Sequence, residues 1–402
     1  MTLIAPRVIR GNRGDIASRY AILAELESAG VPVGAVFASR PEHVPSADRT
    51  HILPYGPIYN LWPGAAGLKA LRNADMVLWT GGLDLQDDSS LLKLVHMWLV
   101  FATYRLLGLD IILVMQGAGP IDTRAGRWLS RRVLALVRLA LVRDKESFDL
   151  LSSLANPDKL RLSADGIFLS GFDEAPTPQS TSLIEKLTAG ARGPVIGLNV
   201  RLWFHFANSI VPYQFARDAY RTRSETHMSI LIDQLAHVVA TLRKEHDARI
   251  VLLSMYEPGV EPWEDDIQFL ERLKERFAGD EEVRLLVEDI PITAFSALLG
   301  RFNLMIGMRL HSALIALRMG TPAIHIAYTR KGHAIYSGLG LSDWLVPVEA
   351  VMKTPNLLID MVRSILADPK SLARVQSVRD TAIAQNREAL LGAVAAATGA
   401  QT

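Results

Sequence analysis

Short apolar runs alternate along this 402-residue chain with longer stretches in which apolar positions recur every three or four residues. In the first half the short runs are RVIR, VPVGAVFAS, MVLWT, DIILVMQG and LALVRD. In the second they are PVIGLNV, ARIVLLSMY, VRLLVE, NLMIGM and PAIHIAY. Each is apolar throughout rather than alternating, which is the pattern of strands covered on both faces of a parallel sheet. The periodic stretches between them, such as IASRYAILAELESAG ending at Gly30, read as crossover helices. After Asp165 the rhythm loosens into SGFDEAPTPQSTS and then TAGARGP, rich in breakers and small polar residues. That break divides the chain into residues 1–175 and 190–402, two Rossmann-like α/β domains with parallel sheets facing a cleft. Ligands of such sheets bind beyond the carboxyl ends of the strands, so the loops that follow strands are where chemistry is expected.

Composition narrows the setting. With 49% hydrophobic and 21% charged residues the chain is an ordinary globular one, and its net charge of +1 points to no nucleic-acid partner. The absence of cysteine excludes disulfides, thiolate nucleophiles and cysteine metal sites. The most apolar segment, 91–115, carries Lys93, His96, Arg105 and Asp110, too many polar groups for a membrane span, so it reads as a helix followed by a strand. The N-terminus, MTLIAPRVIRGN, lacks the apolar core of a signal peptide, and a cytoplasmic protein is expected. Residues 124–144, RAGRWLSRRVLALVRLALVRD, set six arginines among apolar residues. A solvated basic face explains most of that segment, and peripheral attachment to an anionic membrane leaflet is the second reading. Exposed apolar helix faces leave self-association open.

The residues with chemical interest fall in the post-strand loops. GNRGD, residues 11–15, brings Asn12 and Asp15 to a helix start, where free N–H groups suit an anion or a polar ligand; Asp15 as a plain helix cap is the alternative. WTGGLDLQD contributes a second glycine turn at Gly81 and Gly82, and QGAGP a third beginning at Gln116. GLNVRLW ends a strand with Arg201 and Trp203, Arg201 being a cleft cation or a surface residue. In GMRLHSALIALRMGTPAIHIAYTRKG, Arg309 and His311 stand where one strand should end and Lys331 just beyond the next. A helix cap or a hydrogen-bonded core position is the alternative for His311. Several cations brought together are unfavourable without an anion. Arg offers a planar fork to phosphate or carboxylate, Lys a mobile point charge, and an imidazole a proton near neutral pH. Together they suggest a small anionic substrate that is protonated. No HxH or paired-carboxylate signature calls for a metal.

In their order, GNRGD, ADMVLWTGG with Asp87 following, QGAGPI, LVRDKES, LSADGIF, GLNVRLW and MRLH with its later Tyr328 and Lys331 resemble the polysaccharide pyruvyl transferases. Leu83 stands where that family commonly has a third glycine, and SMYEPGVEPWEDD departs from the usual segment, with Asp265 the position carried over. The resemblance implies a GT-B-like architecture, phosphoenolpyruvate as donor with no cofactor, and a pyruvate ketal formed on a sugar or a lipid-linked oligosaccharide of a cell-surface or exopolysaccharide. It implies His311 as general acid, Arg309, Lys331 and Arg201 as donor-binding cations, and Asn12, Asp15, Gly81, Gly82 and Gln116 on the acceptor side. Asp15 is the carboxylate that accepts or orients a hydroxyl proton. Two rival readings share the architecture, a nucleotide-sugar glycosyltransferase and a non-catalytic glycan-binding relative.

Overall fold

The computed structural model describes residues 2–31, 33–54, 63–88, 90–172, 176–202, 217–260 and 265–398. Among them thirteen strands form two sheets. The first holds β1 (Leu3–Ala5), β2 (Val33–Phe37), β3 (His51–Leu53), β4 (Met76–Leu85), β5 (Asp110–Ala118), β6 (Leu139–Val142) and β7 (Leu160–Leu162) in the order β3-β2-β1-β4-β5-β6-β7. The second holds β8 (Val195–Asn199), β9 (Arg249–Leu253), β10 (Val283–Leu286), β11 (Leu304–Gly307), β12 (Ala323–Ala327) and β13 (Leu345–Pro347) in the order β10-β9-β8-β11-β12-β13. Every pairing is parallel. Interior strands such as β5, β9 and β12 are buried along nearly their whole length, as unbroken apolar runs require. Strand order reverses between β1 and β4 in one sheet and between β8 and β11 in the other, and crevices open at such reversals.

The structure differs from the sequence reading at three places. The first strand is Leu3–Ala5 rather than RVIR, because Pro6 has no N–H for the ladder and pairing stops before it. Three of the four edge strands, β3, β7 and β13, are three residues each, too short to leave an apolar run. Gly81 and Gly82 do not form a turn after the strand; β4 continues through both, and Gly82 pairs with Gln116. Gly82 takes a positive φ of 117°, and a Cβ there would lie 2.2 Å from Arg7 Nη2. The glycine therefore admits the Arg7 guanidinium onto the strand.

The chain passes from the first sheet to the second through residues 163–194. The terminal helix, Ser371–Thr398, belongs by sequence order to the second half but returns to the first. Asn386 accepts from Ala164 N at 2.7 Å and donates to the carbonyls of Asp165 and Phe168 at 2.7 and 3.0 Å. Arg387 pairs with Glu25 at 3.1 Å. Segment 91–115 is a helix, Leu91–Leu106, followed by β5, and among the described residues no helix is long and apolar enough to cross a membrane.

Candidate active site

The two strand-order reversals face each other, and the loop after β1 is stitched directly to the loop after β9. Arg13 N donates to Met255 O at 2.9 Å and Glu257 N to Gly11 O at 2.8 Å. The buried Arg13 side chain crosses the seam to Ile290 O at 2.7 Å and lies over the Phe295 ring. His43 and Glu257, both buried, meet at 2.7 Å. These contacts hold the rims of the two domains together around a cleft.

Asn12, not Asp15, caps the helix Arg13–Ser28: its Oδ1 accepts from Gly14 N at 2.9 Å and Asp15 N at 3.4 Å. Asp15 is left in the first turn, half-buried, 3.6 Å from Arg7 Nη2. Arg7 in turn pairs with Asp84 at 2.9 Å, and the Asp84 carboxylate also accepts from Trp79 Nε1 at 2.9 Å. Burial pushes that carboxyl up, yet Arg7 and Lys93 outweigh it and hold it well below the usual carboxylate range. Gln116 lies beneath this rim, fully buried, donating to Trp79 O at 3.4 Å. The structure thus brings Asn12 and Asp15 to the cleft and places Gly81, Gly82 and Gln116 in the sheet below it.

On the opposite wall, Arg309 is the N-cap of the helix Leu310–Arg318 and His311 lies in its first turn. Arg309 is buried. Its Nε contacts both oxygens of Asp266 at 2.9 and 2.7 Å, and its guanidinium lies 4.6 Å from the Tyr256 ring centroid. Asn199, at the end of β8, fixes this arrangement by accepting from Arg309 N at 2.9 Å and donating to Leu253 O and Asp266. Asp265 instead accepts from Ser254 Oγ and Ile267 N, so the carboxylate under Arg309 is its neighbour. Arg201 donates to the Tyr328 hydroxyl with its guanidinium 5.0 Å from that ring's centroid. Trp203 lies outside the described residues.

His311 Nε2 stands 3.6 Å from Oδ2 of Asp165, in the loop after β7 of the other domain. The same Asp165 oxygen accepts from Arg143 Nη1 at 2.9 Å, and Oδ1 accepts from Ile167 N. Burial raises the Asp165 carboxyl, but Arg143 and His311 prevail and keep it ionised far below the usual range. A fixed carboxylate beside an imidazole orients the ring. Behind Arg143 and Asp165 runs a cavity of about 370 Å³, bounded by the helix Arg330–Gly338 and the terminal helix. Lys331, in the first turn of Arg330–Gly338, donates across the cleft to Gln86 Oε1 at 2.9 Å. Burial lowers its amine to about 7; Asp88 opposes the shift, while Arg143, Lys93 and Arg201 add to it. Lys331, Arg201, Arg143 and His311 are thereby linked into one cationic neighbourhood spanning both domains.

Packing at the imidazole is close. A Cβ on Gly14 would fall 2.2 Å from His311 Nδ1. Gly14→Ala is expected to displace the ring or part the domains, lowering turnover by about 10²-fold while each sheet stays folded. Steady-state rates beside far-ultraviolet circular dichroism check this; parent-like turnover would show that the ring position is immaterial.

Sequence reading missed Asp165, Arg143, Asp266 and Asn199. Each follows a strand as a short polar residue or lone Arg, and those types serve turns and caps more often than sites. Asp165 finds His311 only in the opposite domain, and Asp266 and Asn199 find Arg309 only when the second domain folds.

Two wound parallel sheets, each with its reversal point at a shared cleft and with a helix returning from the end of the second half to the first domain, define a GT-B-like protein. The solved structures agree. A putative UDP-N-acetylglucosamine 2-epimerase from Listeria monocytogenes matches with a TM-score of 0.60 at 13% identity, over 100% of this chain and 97% of that one. Sucrose-phosphate synthase from Thermosynechococcus elongatus matches at 0.57 and 15%, over 100% of both chains. These likenesses define the fold alone. Within that fold the chain belongs to the polysaccharide pyruvyl transferase family, whose model matches residues 12–330, as the resemblance implied. It is also similar to the amylovoran biosynthesis protein AmsJ of Erwinia amylovora, 22% identical over 284 residues. That match takes in 70% of this chain and 63% of AmsJ, so the chain spans less than two thirds of this relative's length.

Proposed function

We propose that this protein transfers the pyruvyl group of phosphoenolpyruvate to two hydroxyls of a sugar in a cell-surface or exopolysaccharide, or in its lipid-linked precursor, releasing phosphate and leaving a cyclic ketal. The observation that carries this reading is the cationic neighbourhood around Lys331 lying beside His311, through Arg143 and Asp165. A small dianionic head relieves the mutual repulsion there and sets its unsaturated carbon near a proton donor.

In this scheme protonated His311 gives its proton to the donor's methylene carbon, the carbon–carbon π pair forming the new C–H bond. The adjacent carbon becomes an oxocarbenium. One sugar hydroxyl attacks it and loses its proton, the bond to the phosphate oxygen breaks, and the second hydroxyl closes the ring with loss of another proton. One released proton restores His311 and the other leaves with phosphate. Asp165, 3.6 Å from the ring, orients the imidazole. Lys331, Arg201 and Arg143 stabilise the departing phosphate, and Arg309, braced by Asp266, holds the wall against which the donor carboxylate lies. Asp15 and Asn12 face the acceptor, with Asp15 orienting a hydroxyl.

Binding should be linked to protons. A Lys331 amine that titrates near 7 is largely neutral at pH 8–9 and must take up a proton to meet an anion. Above pH 7 the phosphate is already ionised, and phosphoenolpyruvate affinity is expected to fall by up to about tenfold per pH unit. Calorimetry in two buffers of different ionisation enthalpy reads the proton uptake directly. Thermal stabilisation by phosphoenolpyruvate, set beside UDP, GDP and their sugars, tests the donor itself. Stabilisation by a nucleotide alone would overturn the pyruvyl-transfer reading.

A further inference from the structure

The first domain carries an outward face unlike the rest of the molecule. Three helices, Gly64–Arg72, Leu91–Leu106 and Arg124–Leu136, lie in one layer over the same sheet face. None contains an Asp or Glu, although the chain has 42 acidic residues against 43 basic ones. The middle helix turns Leu92, Leu99 and Leu106 to solvent, 51%, 42% and 88% exposed, with Val95, Ala102 and Thr103 between them on the same face. Positions i, i+3, i+7, i+10, i+11 and i+14 form one stripe, so this helix is apolar inside and apolar outside. A solvated surface helix ordinarily carries its charges on that outer face. The neighbouring helix exposes Trp128 at 50% and Arg124, Arg131 and Arg132, with the Arg132 guanidinium 5.2 Å from the Trp128 ring centroid.

We propose that this face docks on an anionic lipid bilayer, the leucine stripe entering the acyl boundary and the arginines meeting the headgroups. Charge complementarity selects this occupant. A second copy of the chain would bring the same cations against themselves, whereas lipid phosphates neutralise them, and Trp and Arg beside aliphatic side chains suit a membrane–water interface. The location fits as well. Helix Leu91–Leu106 begins at the cleft rim, where Lys93 in its first turn donates to Leu83 O at 2.9 Å and stands 3.5 Å from Asp84. A bilayer on this face therefore lies alongside the mouth of the cleft. This goes beyond the pyruvyl-transfer reading, and vesicle binding is read without turnover, so either can fail alone.

The test is flotation of the full chain with vesicles of phosphatidylcholine containing 30% phosphatidylglycerol, beside phosphatidylcholine alone, at low salt and at 0.5 M. Binding to the anionic vesicles only, weakened by salt, is expected. Each arginine at such a surface contributes about fivefold to partitioning, so Arg131→Glu with Arg132→Glu should weaken binding by about 25-fold or more. Leu99→Glu with Leu106→Glu should weaken it at least about tenfold. Leu106→Ser with Trp128→Ser reads the same face should the glutamates fail to fold. No binding at low salt, or binding indifferent to all three pairs, overturns the proposal. So does a micromolar dimer that the leucine variants dissociate without any vesicle binding.

Discussion

His311→Ala is expected to lower turnover by about 10²–10⁴, the usual contribution of a positioned proton donor. Thermal stabilisation by phosphoenolpyruvate should survive nearly unchanged, because in the proposed scheme Lys331, Arg201, Arg143 and Arg309, not the imidazole, hold the donor. Arg309→Ala should behave oppositely, weakening donor binding first. Single-turnover phosphate release beside a donor thermal shift separates the two effects. A His311→Ala protein with near-parent turnover would remove the imidazole from the chemistry, and the proton would have to come from elsewhere. Asp165→Asn gives a graded control. The imidazole keeps a neighbour of the same shape but loses the carboxylate that faces it, so single-turnover phosphate release should slow by less than in His311→Ala.

Asp266→Ala should cost about 3–5 kcal/mol of stability, the toll for leaving one member of a buried ion pair without the other. Asp266 is completely buried and Arg309 nearly so, and the carboxylate also accepts from Asn199 and Met255 N, so no water can replace it cheaply. Chemical denaturation of the single variant measures the loss. The double variant Asp266→Leu with Arg309→Met should recover most of the stability, since an apolar pair of similar volume often matches a buried salt bridge. It should not recover donor affinity. If it restores both, Arg309 is scaffolding only and the donor is held entirely by Lys331, Arg201 and Arg143.

Much of the architecture was legible because parallel strands buried on both faces leave unbroken apolar runs. DIILVMQG became β5 and NLMIGM became β11 with only small shifts at the ends. The short edge strands His51–Leu53 and Leu345–Pro347 left no such run, since an edge is covered on fewer sides and needs less apolar surface. The site was legible on one wall only. Arg309, His311 and Lys331 stand out because cations at neighbouring strand ends are costly without a reason. Asp165 and Asp266 do not stand out, as a carboxylate after a strand caps a helix or closes a turn far more often. Their meaning lies in partners 146 and 43 residues away, reached only when the domains close or a loop folds back. Gly81 and Gly82 show the converse: glycines that read as a ligand-binding turn make room for Arg7 and Ser18 instead.

The hold of Asn386 on the loop carrying Asp165 bears on how the protein is made. At roughly 5–20 residues per second a ribosome delivers both sheets, through Pro347, a few seconds before Asn386 is synthesised. During that interval the Asp165 loop lacks the three hydrogen bonds that fix it. The carboxylate facing His311 is therefore fixed later than either sheet is synthesised, and a chain cut short near residue 370 would hold it less firmly.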